Sequence, residues 1–85
     1  MSTPECPPNN ICFYSEPEFQ GEVESYPAPV DSCVTLQFPA RSYQNNSNDA
    51  LIGYAEPDCE GEEGRPIDSS DPDLQPPLLS FGPPR

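Results

Sequence analysis

An all-β fold of two packed sheets is the class this sequence predicts, and three observations predict it. Short β-prone runs recur along the chain, prolines sit too close together for helices, and one spacing of aromatic residues and glycine occurs twice. The runs cover residues 11–14, 22–26, 33–38, 41–43, 50–54 and 78–81. Several alternate polar with apolar residues, as Glu22-Val23-Glu24-Ser25-Tyr26 does, which is the period of a strand with one buried face. Proline removes a backbone donor and clashes inside a helix. The 14 prolines leave only the stretch 41–56 open for a helix, and that stretch is polar and Asn-rich.

The repeated spacing is the most specific of the three. Tyr14 is followed by Phe19 and Gly21, and forty positions later Tyr54 is followed by Cys59 and Gly61 at the same offsets. Each copy is trailed by a serine beside an aromatic ring, Ser42-Tyr43 and Ser80-Phe81. The physical sense is a tight hairpin folded over its own sheet: two aromatic rings pack at the corner, and glycine takes a backbone position that side chains disfavour. The chain divides accordingly into an N-terminal segment 1–10, a first unit 11–47, a second unit 48–82 and a tail 83–85, one domain in total.

Composition narrows what such a domain does. Fifteen acids stand against three arginines, with no lysine and no histidine, for a net charge of -12 over 85 residues. Without histidine there is no Ser/His/Asp or Cys/His nucleophile pair and no imidazole metal site. The charge repels phosphate backbones and anionic lipid, so neither nucleic acid nor membrane is an expected partner. Paired carboxylates alone run glycoside hydrolysis only in a cleft large enough for a sugar, which a domain this small scarcely builds, so no enzymatic activity is expected.

The same acids keep a proline-rich sandwich soluble and discourage edge-to-edge pairing, and a monomer is expected. High charge with few aliphatic residues reads as disorder on composition alone. A chain of this length buries only about 60 % of its unfolded surface and calls for covalent staples. Cys6, Cys12, Cys33 and Cys59 supply them: they contain no C-x-x-C pair, and an even number in a short chain points to two disulfides and an oxidising compartment. No apolar run approaches 18 residues, and the opening five residues are neither basic nor apolar, so Met1 reads as a start placed before a mature, secreted, extracellular chain.

The segment Tyr14-Ser15-Glu16-Pro17-Glu18-Phe19-Gln20-Gly21 with its later Ser42 resembles the Greek-key signature of βγ-crystallin domains, and Tyr54, Cys59, Gly61 and Ser80 form a near match. More narrowly, Cys6-Pro7-Pro8-Asn9-Asn10-Ile11-Cys12-Phe13-Tyr14 and Pro39-Ala40-Arg41-Ser42-Tyr43-Gln44-Asn45 are similar to segments of secreted microbial metalloproteinase inhibitors of βγ-crystallin fold. The resemblance implies a double Greek-key sandwich, a local Cys6–Cys12 bridge and, by remainder, Cys33–Cys59. The second bridge would close a loop of 26 residues, contributing about 3–3.5 kcal/mol in the chain-entropy model.

It also implies a protein target, an extracellular protease foremost, with a secreted effector, toxin-like or antimicrobial binding module, or a structural crystallin relative, as alternatives. The family's calcium motif pairs two Asn/Asp residues with Ser/Thr-Ser. Here the positions ahead of Ser42 read Gln37 to Arg41 and those ahead of Ser80 read Gln75 to Leu79, so no cofactor is expected. Weak calcium binding at Glu60, Glu62 and Glu63 or at Asp68, Asp71 and Asp73 is the residual possibility, against a solvated charged loop as the plainer reading.

An inhibitor needs a rigid segment anchored at both ends. Residues 56–66 qualify, with Cys59, Glu60, Gly61 and Glu62 as the candidate inhibitory loop. Residues 69–79 also qualify, where prolines stiffen a stretch presenting Leu74, Leu78 and Leu79. Asn45-Asn46-Ser47 is a glycosylation acceptor sequence of a length that arises incidentally.

Overall fold

In the computed structural model, residues 6–61, 64–67 and 69–84 are described. Eight strands form: β1 Asn10–Glu16, β2 Gln20–Pro27, β3 Val34–Ala40, β4 Ser42–Asn46, β5 Ile52–Tyr54, β6 Arg65–Pro66, β7 Ser70–Asp71 and β8 Leu78–Gly82. One turn of 3-10 helix, Pro57–Cys59, is the only helical element among the described residues. All six predicted runs form strands. The two-residue strands β6 and β7 are additions, too short to carry an alternation that a sequence can display.

The strands make two four-stranded sheets, ordered β2-β1-β4-β7 and β3-β8-β5-β6. Every described pairing is antiparallel. Reading the second sheet as β6-β5-β8-β3 shows that the last four strands repeat the arrangement of the first four. In each set the third strand leaves its own sheet: β3 pairs with β8, and β7 pairs with β4. The result is a double Greek key in which each set of four donates one edge strand to the other.

This topology explains how so proline-rich a chain builds sheets. Proline cannot donate to a ladder and is tolerated on edges. Pro27, Pro39 and Pro66 lie within β2, β3 and β6, all edge strands, while the central strands β1, β4, β5 and β8 contain none. The β3–β8 register shifts between Thr35 and Ala40, the interval that holds Pro39.

The core between the sheets contains Ile11, Phe13, Leu36, Ala40, Tyr43, Leu51, Ile67, Leu74, Leu78 and Phe81. Phe13 of β1 meets Phe81 of β8 at a centroid distance of 4.6 Å, and Tyr26 packs on both rings at 6.2 and 5.2 Å. Fully burying a ring of this kind contributes about 1.5–3 kcal/mol. Strand β1 is buried on both faces, because Cys6, Phe19 and the Cys6–Cys12 bridge cover Cys12 and Tyr14 on its outer side.

Three sets of polar contacts fasten the sandwich. Glu24 of β2 accepts from the backbone N–H of Gln37 on β3 at 2.8 Å and from the Tyr26 hydroxyl at 2.5 Å, joining the edges of opposite sheets. Arg65 of β6 pairs with Asp71 of β7 at 2.8 Å, its guanidinium 5.9 Å from the Tyr43 ring centre. Asn45 donates its side-chain amide to the carbonyls of Ile67 (2.9 Å) and Asp49 (3.3 Å), so the nitrogen of the acceptor sequence is engaged inside the fold.

Candidate functional site

The candidate site is the corner that joins β5 to β6, and its backbone begins from the tyrosine that ends β5. After Tyr54 the chain turns through Pro57–Cys59, with Asp58 and Cys59 in the left-handed region at φ 60° and 54°. Such a backbone is costly for residues other than glycine and persists only where its surroundings over-determine it. Here they do. Ser80, fully buried on β8, donates its hydroxyl to the Glu56 carbonyl and accepts from the Cys59 N–H at 2.8 Å. Thr35 of β3 accepts from the Asp58 N–H and donates to the Asp58 carboxylate, each at 3.1 Å. The Glu60 N–H reaches the Pro57 carbonyl at 3.2 Å.

The covalent anchor is the disulfide from Cys59 to Cys33, which lies just before β3, with a Cα–Cα distance of 6.0 Å. The second bridge joins Cys6 to Cys12, and both pairings are those implied by the resemblance. Four residues of the corner point outward, since Glu56, Pro57, Asp58 and Glu60 are exposed, as is Gly61, while Cys59 is half-buried. Gly61, at φ +105°, takes a backbone conformation that side chains disfavour. Of the predicted loop, Cys59, Glu60 and Gly61 are therefore brought together on one fixed and accessible corner. Glu62 lies outside the described residues, as do Glu63 and Asp68.

The corner between β1 and β2 is built in the same way. Ser42, also fully buried, donates to the Glu16 carbonyl at 2.8 Å and accepts from the Phe19 N–H at 3.1 Å. Glu18 and Phe19 both have φ 60°, and Gly21 has φ +81°. The Phe19 ring stands edge-on to Tyr14 at 5.6 Å. The strand donated from the other set again assists: the Glu18 N–H reaches the carbonyl of Pro72, just beyond β7. The motif residues Tyr14, Phe19, Gly21, Ser42, Tyr54, Gly61 and Ser80 thus mark two latched corners. The likeness extends further than those positions, because Glu16-Pro17-Glu18 and Glu56-Pro57-Asp58 also correspond.

The second predicted segment does not display its apolar residues. Leu74 and Leu78 belong to the core, each 2 % exposed, and Leu79 is half-buried. Those leucines face inward because the Leu74 N–H bonds the Arg41 carbonyl at 2.8 Å and β8 begins at Leu78. Thr35 is the functional support that sequence reasoning missed. It lies 23 residues from Asp58, and only the exchange of β3 between sheets brings it there.

Both serine hydroxyls latch hairpins. Among the described residues, no three His, Cys, Asp or Glu side chains converge as a metal-holding group. Asp71 is engaged by Arg65 and by the Asp73 N–H. Electrostatics elsewhere favour neutral tyrosines: burial raises the pKa of Tyr14, and burial together with the Glu24 carboxylate raises that of Tyr26. Among the described residues, no helix is long and apolar enough to cross a membrane.

Comparison with known proteins agrees with this architecture. The crystal structure of Abundant Perithecial Protein (APP) from Neurospora crassa matches with a TM-score of 0.67 at 20 % sequence identity, covering 93 % of this chain. The chain spans 40 % of that protein's length, and the likeness is one of βγ-crystallin-like fold. Among curated proteins none matches the chain. Residues 1–65 match the sequence profile of peptidase inhibitor family I36, which is more than three quarters of the 85 residues. The chain, with its two latched corners and two bridges, belongs to peptidase inhibitor family I36.

Proposed function

We propose that the protein is a secreted proteinase inhibitor that acts by binding, and that the corner spanning residues 56–61 is its contact surface. One observation carries this reading: the corner is exposed to solvent, yet its backbone is held by Ser80, by Thr35 and by the Cys33–Cys59 bridge. A segment fixed before it meets its target loses little conformational entropy on binding, and the surplus appears as affinity. Membership in a peptidase inhibitor family supports a peptidase as the target.

The test is inhibition of a panel of metallo-, serine and cysteine endopeptidases by the oxidised protein. Sub-micromolar inhibition of at least one is expected. A Cys33→Ser/Cys59→Ser variant is expected to lose that inhibition while its circular dichroism keeps the β signature. Inactivity of the oxidised protein against every class would overturn the proposal.

A further inference from the structure

We infer that the peptidase this corner fits has a cationic principal specificity pocket, one that accepts Glu or Asp, and that Glu60 enters it. The inference rests on the reading of residues 56–61 as the contact surface. The side chains exposed there are Glu56, Pro57, Asp58 and Glu60, so the corner offers neither a large apolar nor a basic group to a pocket. Val23 is the large apolar side chain found exposed among the described residues, and it lies on β2 of the other sheet.

Two of the four exposed residues are already committed, and a third is turned aside. Pro57 opens the turn. Asp58 accepts from the Thr35 hydroxyl at 3.1 Å. The Glu56 carboxylate folds back over Gly61, with Oε2 3.5 Å from where a Cβ at that glycine would stand.

Glu60 differs from them in its place beside the disulfide anchor and in its carboxylate. Its backbone is extended, φ -89° and ψ 166°, as that of Glu56 also is, and with its N–H held inside the corner it offers a cleft its side chain rather than a pairing edge. It comes directly after the disulfide anchor, and its own N–H is pinned to Pro57. Gly61 on its other side adds no side chain of its own. No described contact engages its carboxylate.

Chemistry then selects the pocket. A carboxylate moved out of water without a partner costs several kcal/mol, whereas a guanidinium or ammonium group in the pocket answers it with charge-assisted hydrogen bonds. The net charge of -12 adds attraction toward a basic cleft and repels an anionic one.

The experiment uses the intact oxidised protein against four purified enzymes: a serine endopeptidase that cleaves after Glu, a metalloendopeptidase that cleaves before Asp, and one serine and one metalloendopeptidase with apolar pockets. Tighter inhibition of an acid-directed enzyme, by about tenfold or more, is expected. Glu60→Gln should weaken it by a similar factor, and Glu60→Leu should shift inhibition toward the apolar-pocket enzymes, with unchanged circular dichroism in both variants. Inhibition confined to the apolar-pocket enzymes, or of none of the four, would overturn the inference; the inhibitor reading falls only with inactivity across the wider metallo-, serine and cysteine panel. Equal weakening by Glu56→Gln and Glu60→Gln would remove Glu60 from the pocket and replace it with a general charge effect.

Discussion

Phe19 and Cys59 occupy the same backbone position in the two corners of the sandwich, and each donates its N–H to a buried serine, at 3.1 and 2.8 Å. Their side chains then part ways. Phe19 closes its corner with a ring against Tyr14, while Cys59 closes its own with a sulfur bond to Cys33. A ring contact is reversible packing; the bridge is a covalent tether to the strand lent by the other set. The corner proposed to meet a peptidase is the covalently tethered one.

The two bridges should reduce in a fixed order. Cys33 is exposed and Cys59 half-buried, whereas Cys6 and Cys12 are only 8 % and 1 % exposed. A thiolate must reach a sulfur to attack it. Graded dithiothreitol with subsequent alkylation and peptide mass mapping should therefore show Cys33–Cys59 open while Cys6–Cys12 persists. Loss of the first bridge should cost about 3.5 kcal/mol, from a closed loop of 26 residues. Simultaneous labelling of all four cysteines would contradict the order.

Ser42 and Ser80 should be equally expensive to truncate. Each Ser→Ala change leaves a corner N–H and a corner carbonyl without their partner, a loss of about 2–3 kcal/mol. For a domain of this size that is a fall in Tm of roughly 10 °C or more. The check is thermal denaturation of both variants beside the parent. A difference between them above about 1 kcal/mol would show that the latches are not equivalent.

The two corner glycines should part company on substitution. At Gly21 an added Cβ would lie 2.3 Å from Ser15 Oγ, and the φ of +81° is unfavourable for alanine. At Gly61 the φ of +105° imposes the same kind of strain, but the nearest atom is 3.5 Å away, on the Glu56 side chain. Gly61→Ala should cost about 1–2 kcal/mol and Gly21→Ala about 1 kcal/mol more. Urea titrations of the two variants measure the difference.

Alkali should unfold the protein through its tyrosines. Tyr26 is held protonated by burial first, then by its hydrogen bond to Glu24 and by the Glu24 charge, and Tyr14 by burial. The folded state thus binds these protons more tightly than the unfolded chain. Their contribution to stability is complete below pH 10.0, the ordinary tyrosine value. It is lost as the pH climbs through the raised folded values. Tyr26→Phe, which retains the ring packing on Phe13 and Phe81, should flatten that decline. Tm measured across the alkaline range, with tyrosinate absorbance alongside, tests it.

Much of this fold was legible in the chain, because its determinants are local. Tyr14, Gly21, Tyr54 and Gly61 announce corners at fixed offsets, and the six longer strands carry their own alternation or aromatic content. Residues Arg65, Pro66, Ser70 and Asp71 announce nothing, since β6 and β7 exist only because neighbouring strands recruit them. The corner at residues 56–61 was legible as a tethered loop through Cys59. Its support by Thr35 was not, because the threonine sits on a strand whose sheet is decided by tertiary packing. Leu74 and Leu78 misled for the same reason: a proline-rich segment reads as exposed, yet here it runs alongside the core and turns its leucines inward.

The exchange of β3 and β7 has an outcome for how this molecule can come into being. Neither set of four strands can complete its four-stranded sheet from its own residues, so a fragment cut between β4 and β5 would leave one strand without its partner and Phe13 without Phe81. With the Cys33–Cys59 bridge reduced so that the halves separate, mixing two such fragments should restore the native spectrum where either alone gives that of a coil. Each half is a fold only in the other's company.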